Sequence, residues 1–146
     1  PGAPVIYYGD EIGMPGANDP DNRRDMVFGE GLTEPQREVL AWTRRLTALR
    51  RCSEALRRGE RRTIVVDDDL YVYGRDAADG FPVLVALNRA EEPASITVTI
   101  PDEWALDAQV RWRDMLGAEL QVEGRRISLV VTPTTAAVLT PNCGGL

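Results

Sequence analysis

Histidine is absent from the 146 residues of this sequence. Without histidine, the chain holds neither a Ser-His-Asp nor a Cys-His catalytic arrangement. Ordinary zinc sites that use histidine ligands are excluded as well. No metal site and no cofactor are expected.

Lysine is also absent, so all 17 basic residues are arginines. They are interspersed among 23 acidic residues, giving a formal net charge of −6. No basic stripe of the kind that binds nucleic acid results from this distribution. No apolar run reaches the roughly 18–20 residues that a membrane span needs. Neither nucleic acid nor a membrane is expected as a partner.

Cysteine is scarce, with only Cys52 and Cys143 present. Two cysteines so far apart are not a disulfide framework, and we expect both to be free thiols. The sequence begins with Pro1 and continues at once into an apolar, turn-like segment. We expect this boundary to lie inside a longer chain, so the missing signal peptide says nothing about secretion.

The first third of the chain predicts one strand, one long loop and one helix. Residues 5–8 form a β-branched and aromatic run typical of a buried strand. The stretch 9–31 is rich in Gly, Pro, Asp and Asn, and a loop of this length is usually functional or disordered. Thr33 is a predicted N-cap, and helical periodicity over 34–51 places Val39, Trp42, Leu46 and Leu49 on one face.

After residue 59 the apolar period changes to two, which is typical of strands. The predicted strands are 62–66, 70–75, 82–88, 95–100, 110–115, 119–122, 126–131 and 136–139. Turn signals between them, such as the three aspartates at 67–69, indicate an antiparallel sandwich or barrel. We predict a mainly β chain, with 1–52 as the last β/α unit of a (β/α)8 barrel and 53–146 as an antiparallel β-sandwich. A lone β/α unit has no partners to bury its strand and helix, so it must end something larger.

A family resemblance runs along the chain and is most specific in two segments near its start. Residues 1–14, PGAPVIYYGDEIGM, resemble the eighth barrel strand and following loop of the α-amylase family of glycoside hydrolases. Residues 18–24, NDPDNRR, are similar to a loop of its cyclomaltodextrinases, neopullulanases, maltogenic amylases and cyclodextrin glucanotransferases. The helix 34–51 resembles the last barrel helix, and residues 54–59 resemble the link into the family's C-terminal sandwich. The resemblance spans the chain, but its motifs are specific only over residues 1–26.

The resemblance implies retaining hydrolysis or transfer at α-1,4 glucosidic bonds, with α-1,6 bonds as a further option. A retaining enzyme needs two carboxyl groups about 5–5.5 Å apart across the scissile bond. In the family these lie on earlier barrel strands, so we assign no catalytic residue here and expect the chain alone to be inactive. Asp19 and Arg23 match positions that bind a glucose unit on the non-reducing side. The implied partners are an α-glucan oligosaccharide and the missing barrel, and self-association through the barrel-facing surface is expected. A bacterial and cytoplasmic protein is favoured over a secreted one.

Each assignment has a competing interpretation. Asp19 and Arg23 could form only a local ion pair that stabilises the loop. Asp19, Asp21 and Glu30 have calcium-loop spacing, but arginines stand where a ligand and the invariant glycine are needed, so calcium is disfavoured. Asp10 and Glu11 follow the predicted barrel strand, and we expect them to be structural.

The three tryptophans are assigned to predicted environments one by one. Trp42 and Trp112 are predicted to be buried. Burial is also favoured for Trp104, which lies in a loop after residues 101–103, with a flat face for stacking sugar as the less favoured alternative. Such a platform would favour a second hypothesis, a non-catalytic carbohydrate-binding or structural module. A third hypothesis keeps the family and changes the reaction, to trehalose-forming isomerisation or α-1,6-glucosidase action.

Overall fold

The computed structural model describes residues 3–78, 80–104, 110–141 and 143. The chain divides into two compact units, Pro1–Ala48 and Leu49–Leu146. The assignment of 1–52 and 53–146 as two domains stays a prediction. None of the helices in the described part of the chain is both long enough and apolar enough to pass through a bilayer.

The first unit contains three short 3-10 helices and most of the long helix. The 3-10 helices are Asp10–Ile12, Asp21–Arg23 and Gly29–Gly31, and helix α1 spans Glu34–Cys52. The predicted cap position is confirmed, since α1 begins directly after Thr33 and the Arg37 N–H donates to the Thr33 carbonyl at 3.0 Å. The backbone N–H of Thr33 donates to the Gln36 side chain at 2.9 Å, which is one half of a capping box. The predicted strand at 5–8 is wrong for this chain. A strand needs a hydrogen-bonded neighbour, and the described residues supply none at this position.

Helix α1 leaves part of its apolar face exposed. Val39, Trp42 and Leu46 are 38%, 46% and 46% exposed, respectively. The prediction that Trp42 belongs to the core is therefore wrong in this chain. The helical period predicts which side of α1 is apolar, but it does not show what other surface packs against that side.

The second unit is built from two antiparallel sheets. In the larger sheet the order is β1-β2-β3-β8-β5, and in the smaller it is β4-β7-β6. The strands are β1 Glu60–Val66, β2 Leu70–Asp76, β3 Val83–Asn88, β4 Ala94–Thr99, β5 Arg113–Asp114, β6 Leu120–Glu123, β7 Arg126–Val131 and β8 Thr135–Thr140. The eight predicted strands are all present, although β5 is only two residues long.

The core of the sandwich lies between the two sheets. Alternation along each strand sends one set of side chains inward. The larger sheet contributes Val72, Leu84, Ala86, Ala137 and Leu139; the smaller contributes Ile96, Val98, Ile127, Leu129 and Val131. Trp112 joins this cluster at 7% exposure, which confirms its predicted burial. A short helix α2, Glu54–Arg58, places Ala55 in a second cluster with Val83, Val85 and Val138.

Trp104 is buried, at 2% exposure. It ends the 3-10 helix Asp102–Trp104, and its indole N–H donates to Asp76 Oδ2 at 3.0 Å. Its ring lies over Gly74, where a Cβ atom would overlap it. Trp104 therefore offers no flat face to a sugar, because its ring covers β2, and its burial agrees with the favoured prediction.

Cys52 and Cys143 form a disulfide, with their Cα atoms 5.9 Å apart. The prediction of free thiols is thus wrong. The partners are separated by 91 residues, so no local spacing signalled the pairing. The fold brings the end of α1 and the segment after β8 together, and the bond encloses every strand of the sandwich.

Candidate functional site

The turn after residue 8 is held by its own carboxylates. The Asp10 carboxylate accepts from the backbone N–H of Tyr7 at 2.9 Å, and the Glu11 carboxylate accepts from that of Gly9 at 2.8 Å. Gly9 has φ +95°, a conformation that favours glycine. These bonds fit the structural role predicted for Asp10 and Glu11.

Asp19 and Arg23 are brought together on the next loop. The Nε atom of Arg23 lies 2.7 Å from Asp19 Oδ1. Both side chains are largely exposed, at 72% for Arg23 and 61% for Asp19. An exposed ion pair of this kind contributes little to stability. The pair instead presents a carboxylate and a guanidinium side by side to solvent, an arrangement able to bind neighbouring hydroxyls.

Asp21 organises the same loop from within. Its Oδ2 atom accepts from the backbone N–H of Ala17 at 2.9 Å. Its Oδ1 atom accepts from Arg24 Nε at 2.9 Å and from Arg24 Nη2 at 2.6 Å. The hydrogen bonds from Arg24, and then that from Ala17, hold the pKa of the Asp21 carboxyl below its ordinary value. One carboxylate thus joins residues on both sides of the Asp19–Arg23 pair.

Tyr8 fixes the far end of this loop. Its hydroxyl donates to the backbone carbonyl of Arg24 at 3.2 Å, and the carbonyl of Asn22 lies at 3.5 Å. Partial desolvation, followed by the neighbouring Tyr7, raises the pKa of the Tyr8 hydroxyl. The hydroxyl therefore keeps its proton and remains a donor.

The carboxylates of this loop are matched with arginine. Asp19 pairs with Arg23, and Asp21 pairs with Arg24. Among the described residues, no group of three or more acidic or cysteine side chains is placed to hold a metal ion. Arg23 and Arg24 thus each pair with one of the aspartates that have calcium-loop spacing.

The sandwich unit has a concave surface of about 500 Å³ on the outer face of the smaller sheet. Ser95, Thr97, Gln121, Ser128 and Val130 are among its lining residues. The hydroxyls of Thr97 and Ser128 are 2.9 Å apart and hydrogen-bond to each other. The described lining includes no aromatic ring, so a stacking platform for sugar is missing there.

Sequence reasoning singles out Asp19 and Arg23 as candidates but misses the residues that hold their loop. Asp21 had been considered only as a calcium ligand, and Tyr8 only as part of a strand. The i, i+3 spacing of Asp21 and Arg24 was a usable signal for an ion pair. The contact between Tyr8 and Arg24 spans 16 residues and had no local signature.

No family model matches the chain, but curated relatives do. It is 39% identical to the cyclomaltodextrinase of Geobacillus thermopakistaniensis over 114 residues, covering 76% of this chain and 18% of that protein. It is 36% identical to neopullulanase 2 of Thermoactinomyces vulgaris over 133 residues, covering 90% of this chain and 21% of the relative. The chain spans about a fifth of the length of these relatives.

Solved structures match the whole fold. An Anoxybacillus α-amylase aligns with a TM-score of 0.78 and 26% identity, covering all of this chain and 30% of that one. AmyP, solved in complex with maltose, aligns with a TM-score of 0.72 over 95% of this chain and 32% of its own; at 21% identity it shows the fold alone. The chain is a region of an α-amylase-family glycoside hydrolase. Its matches to cyclomaltodextrinase and neopullulanase correspond to the C-terminal region of such an enzyme.

Proposed function

We propose that this chain forms the C-terminal part of an enzyme that cleaves or transfers α-glucans. Asp19 and Arg23 would bind a glucose unit on the non-reducing side of the scissile bond. The observation that carries the proposal is the exposed pair itself, with 2.7 Å between Arg23 Nε and Asp19 Oδ1. The similarity to a cyclomaltodextrinase and a neopullulanase supports α-1,4 bonds, and also α-1,6 bonds, as targets.

The chemistry of the pair suits a sugar. A carboxylate offers several acceptor sites, so the Asp19 carboxylate can accept from sugar hydroxyls while it holds Arg23. Arg23 offers a planar set of donors. Each partner restrains the other, which lowers the cost of ordering both when a sugar binds. The pair would position the substrate, and the bond-breaking carboxylates would belong to other strands of the barrel.

The exposed face of α1 supports the same proposal. Val39, Trp42 and Leu46 form an apolar stripe on one side of the helix. In a complete (β/α)8 barrel, such a stripe packs against the sheet and the neighbouring helices. We infer that further barrel units, which would carry the nucleophile and the general acid, cover this stripe.

The proposal is tested on the protein expressed at its natural length. Turnover of cyclomaltodextrins, pullulan and maltotriose is measured for the unchanged protein and for Asp19→Ala. We expect Asp19→Ala to raise KM on the order of tenfold, because hydrogen bonds to a charged group are lost. Asp25→Ala, an exposed carboxylate in the same loop, is the matched control and should leave KM unchanged. Absence of turnover in the unchanged protein would refute the proposal.

The non-catalytic binding module remains the second candidate from sequence. Its distinguishing feature would be an exposed aromatic platform on the sandwich. Trp104 and Trp112 are both buried, so neither tryptophan supports this alternative. Adding maltose to the substrate panel detects the third candidate, since trehalose would appear only if the enzyme isomerises it.

A further inference from the structure

The pair at Asp19 and Arg23 is not self-supporting. Both side chains are mostly exposed, and a solvated ion pair between flexible side chains is a weak constraint on geometry. A subsite for a sugar needs its groups held within a fraction of an ångström. Some other part of the loop must therefore fix the backbone on which Asp19 and Arg23 stand.

Asp21 is placed to do this. Its two carboxylate oxygens accept hydrogen bonds from residues that lie before and after it in the sequence. One accepts from Ala17, two residues before Asp19, and the other accepts from Arg24, directly after Arg23. The carboxylate therefore closes the segment that contains both members of the pair.

Tyr8 and the backbone complete the closure. The Tyr8 hydroxyl donates to the carbonyl of Arg24, which ties the closed segment to the chain before it. At Gly16, an added Cβ would lie 3.4 Å from the Cα of Asn22, an ordinary van der Waals distance, so the two sides of the loop face each other. The loop is thus held by hydrogen bonds to Asp21 and from Tyr8.

We infer that Asp21 and Arg24 are positioning residues for the Asp19–Arg23 sugar contact. This inference rests on the proposed function, because it concerns the geometry of the same subsite. Asp21 acts through the loop backbone and does not itself contact the sugar. Arg24 supplies a bidentate fork to one carboxylate oxygen, a role that a lysine cannot reproduce.

The test compares four variants in the natural-length protein: Asp21→Asn, Arg24→Lys, Asp19→Ala and the double variant Asp19→Ala/Asp21→Asn. Ala17 and Arg24 approach different oxygens of Asp21, and an asparagine replaces one of these oxygens with an NH2 group that cannot accept, so it cannot serve both. We expect Asp21→Asn to raise KM for maltotriose on the order of fivefold, with little change in kcat. Arg24→Lys should act in the same direction. Asp25→Asn removes an equal charge from an exposed position in the same loop and should leave KM unchanged.

The double variant separates positioning from general stability. If Asp21 acts only through the pair, Asp21→Asn should raise KM less once Asp19 is already alanine, because Arg23 is then the only sugar-binding member left to misplace. Additive effects, or an unchanged KM in Asp21→Asn, would overturn the inference. A crystal structure of Asp21→Asn gives a second readout, since an Asp19–Arg23 distance still at 2.7 Å would also overturn it.

The two proposals fail in different ways. A natural-length protein that does not turn over any α-glucan removes the proposed function. An active protein whose KM is unchanged by Asp21→Asn and Arg24→Lys refutes only the positioning role. Because both side chains lie at the surface, at 42% and 47% exposure, we expect these variants to fold.

Discussion

The ring of Trp104 occupies the space that a side chain at Gly74 would need. The contact is fixed by the hydrogen bond from the Trp104 indole to Asp76 on the same strand as Gly74. We expect Gly74→Ala to destabilise the sandwich by about 2–3 kcal/mol, since overpacked cores force side chains and backbone to shift. Urea unfolding followed by tryptophan fluorescence measures the change. Gly80→Ala is the control, because its Cβ would meet Glu54 only at an ordinary 3.4 Å; equal loss in both variants would contradict the explanation.

The disulfide between Cys52 and Cys143 should stabilise the sandwich. Closing a loop of this length restricts the unfolded chain, and the chain-entropy account assigns about 4.6 kcal/mol to it. We expect dithiothreitol, or Cys143→Ser, to lower the Tm of the chain markedly. Cys52→Ser under reducing conditions should add no further loss. Two thiols that react with iodoacetamide in the native, unreduced protein would show that the bond does not form.

The disulfide between Cys52 and Cys143 also bears on the cellular compartment of the protein. Structural disulfides persist in oxidising surroundings and are rare in the cytosol of mesophilic bacteria. The pairing therefore favours an oxidising compartment and weakens the initial preference for the cytoplasm. Non-reducing mass spectrometry of the protein isolated from its own cells, after rapid alkylation, tests this expectation. Alkylation of both cysteines in that sample would restore the cytoplasmic assignment.

Trp42 should behave oppositely in two contexts. In the 146-residue chain, Trp42→Glu removes part of an exposed apolar stripe, so we expect less self-association by analytical ultracentrifugation. In the natural-length protein, the same change would place a charge in a packed helix face. There we expect a loss of at least about 3 kcal/mol in stability. Arg44→Gln, at an exposed position on the opposite face of the helix, should be nearly neutral in both. A soluble monomer from the unchanged 146-residue chain would argue against the barrel-facing role of this stripe.

Acid should loosen the loop through Asp21. Its pKa is lowered in the folded protein, first by the hydrogen bonds from Arg24. A lowered pKa means that the stabilisation is fully present above the ordinary pKa of an aspartic acid and is lost as the pH falls through the lowered value. Carboxyl NMR titration of Asp21 measures this directly. Arg24→Gln should move the Asp21 pKa upward, and an unchanged value would contradict the assigned cause.

The predictable parts of the fold are the helices and strands whose sequence signals lie within or next to the element itself. The helix predicted at 34–51 is observed as Glu34–Cys52, because its period and the Thr33 cap both lie within the segment. Strands with strict alternation, such as Ala94–Thr99, were predicted to within a residue at each end. Helix α2 was missed, since five residues are too few to show a helical period.

The errors share one physical cause, which is dependence on distant partners. Residues 5–8 and Trp42 carry the composition of buried elements, but burial requires surfaces that the described residues do not provide. The disulfide pairs residues separated by 91 positions. At the candidate site, the Asp19–Arg23 pair was recognisable from its motif. The closure by Asp21 and Tyr8 depended on side-chain directions that only a folded loop defines.

The disulfide makes residues 52–143 one covalent ring. Every turn between the eight strands lies inside this ring, including the hairpin at 67–69. A protease that cuts any one of these turns would open the ring without releasing a peptide. The nicked protein would migrate as a single species on a non-reducing gel and separate into two only after reduction. A cut in any of these turns would therefore be detected by gel only after the disulfide is reduced.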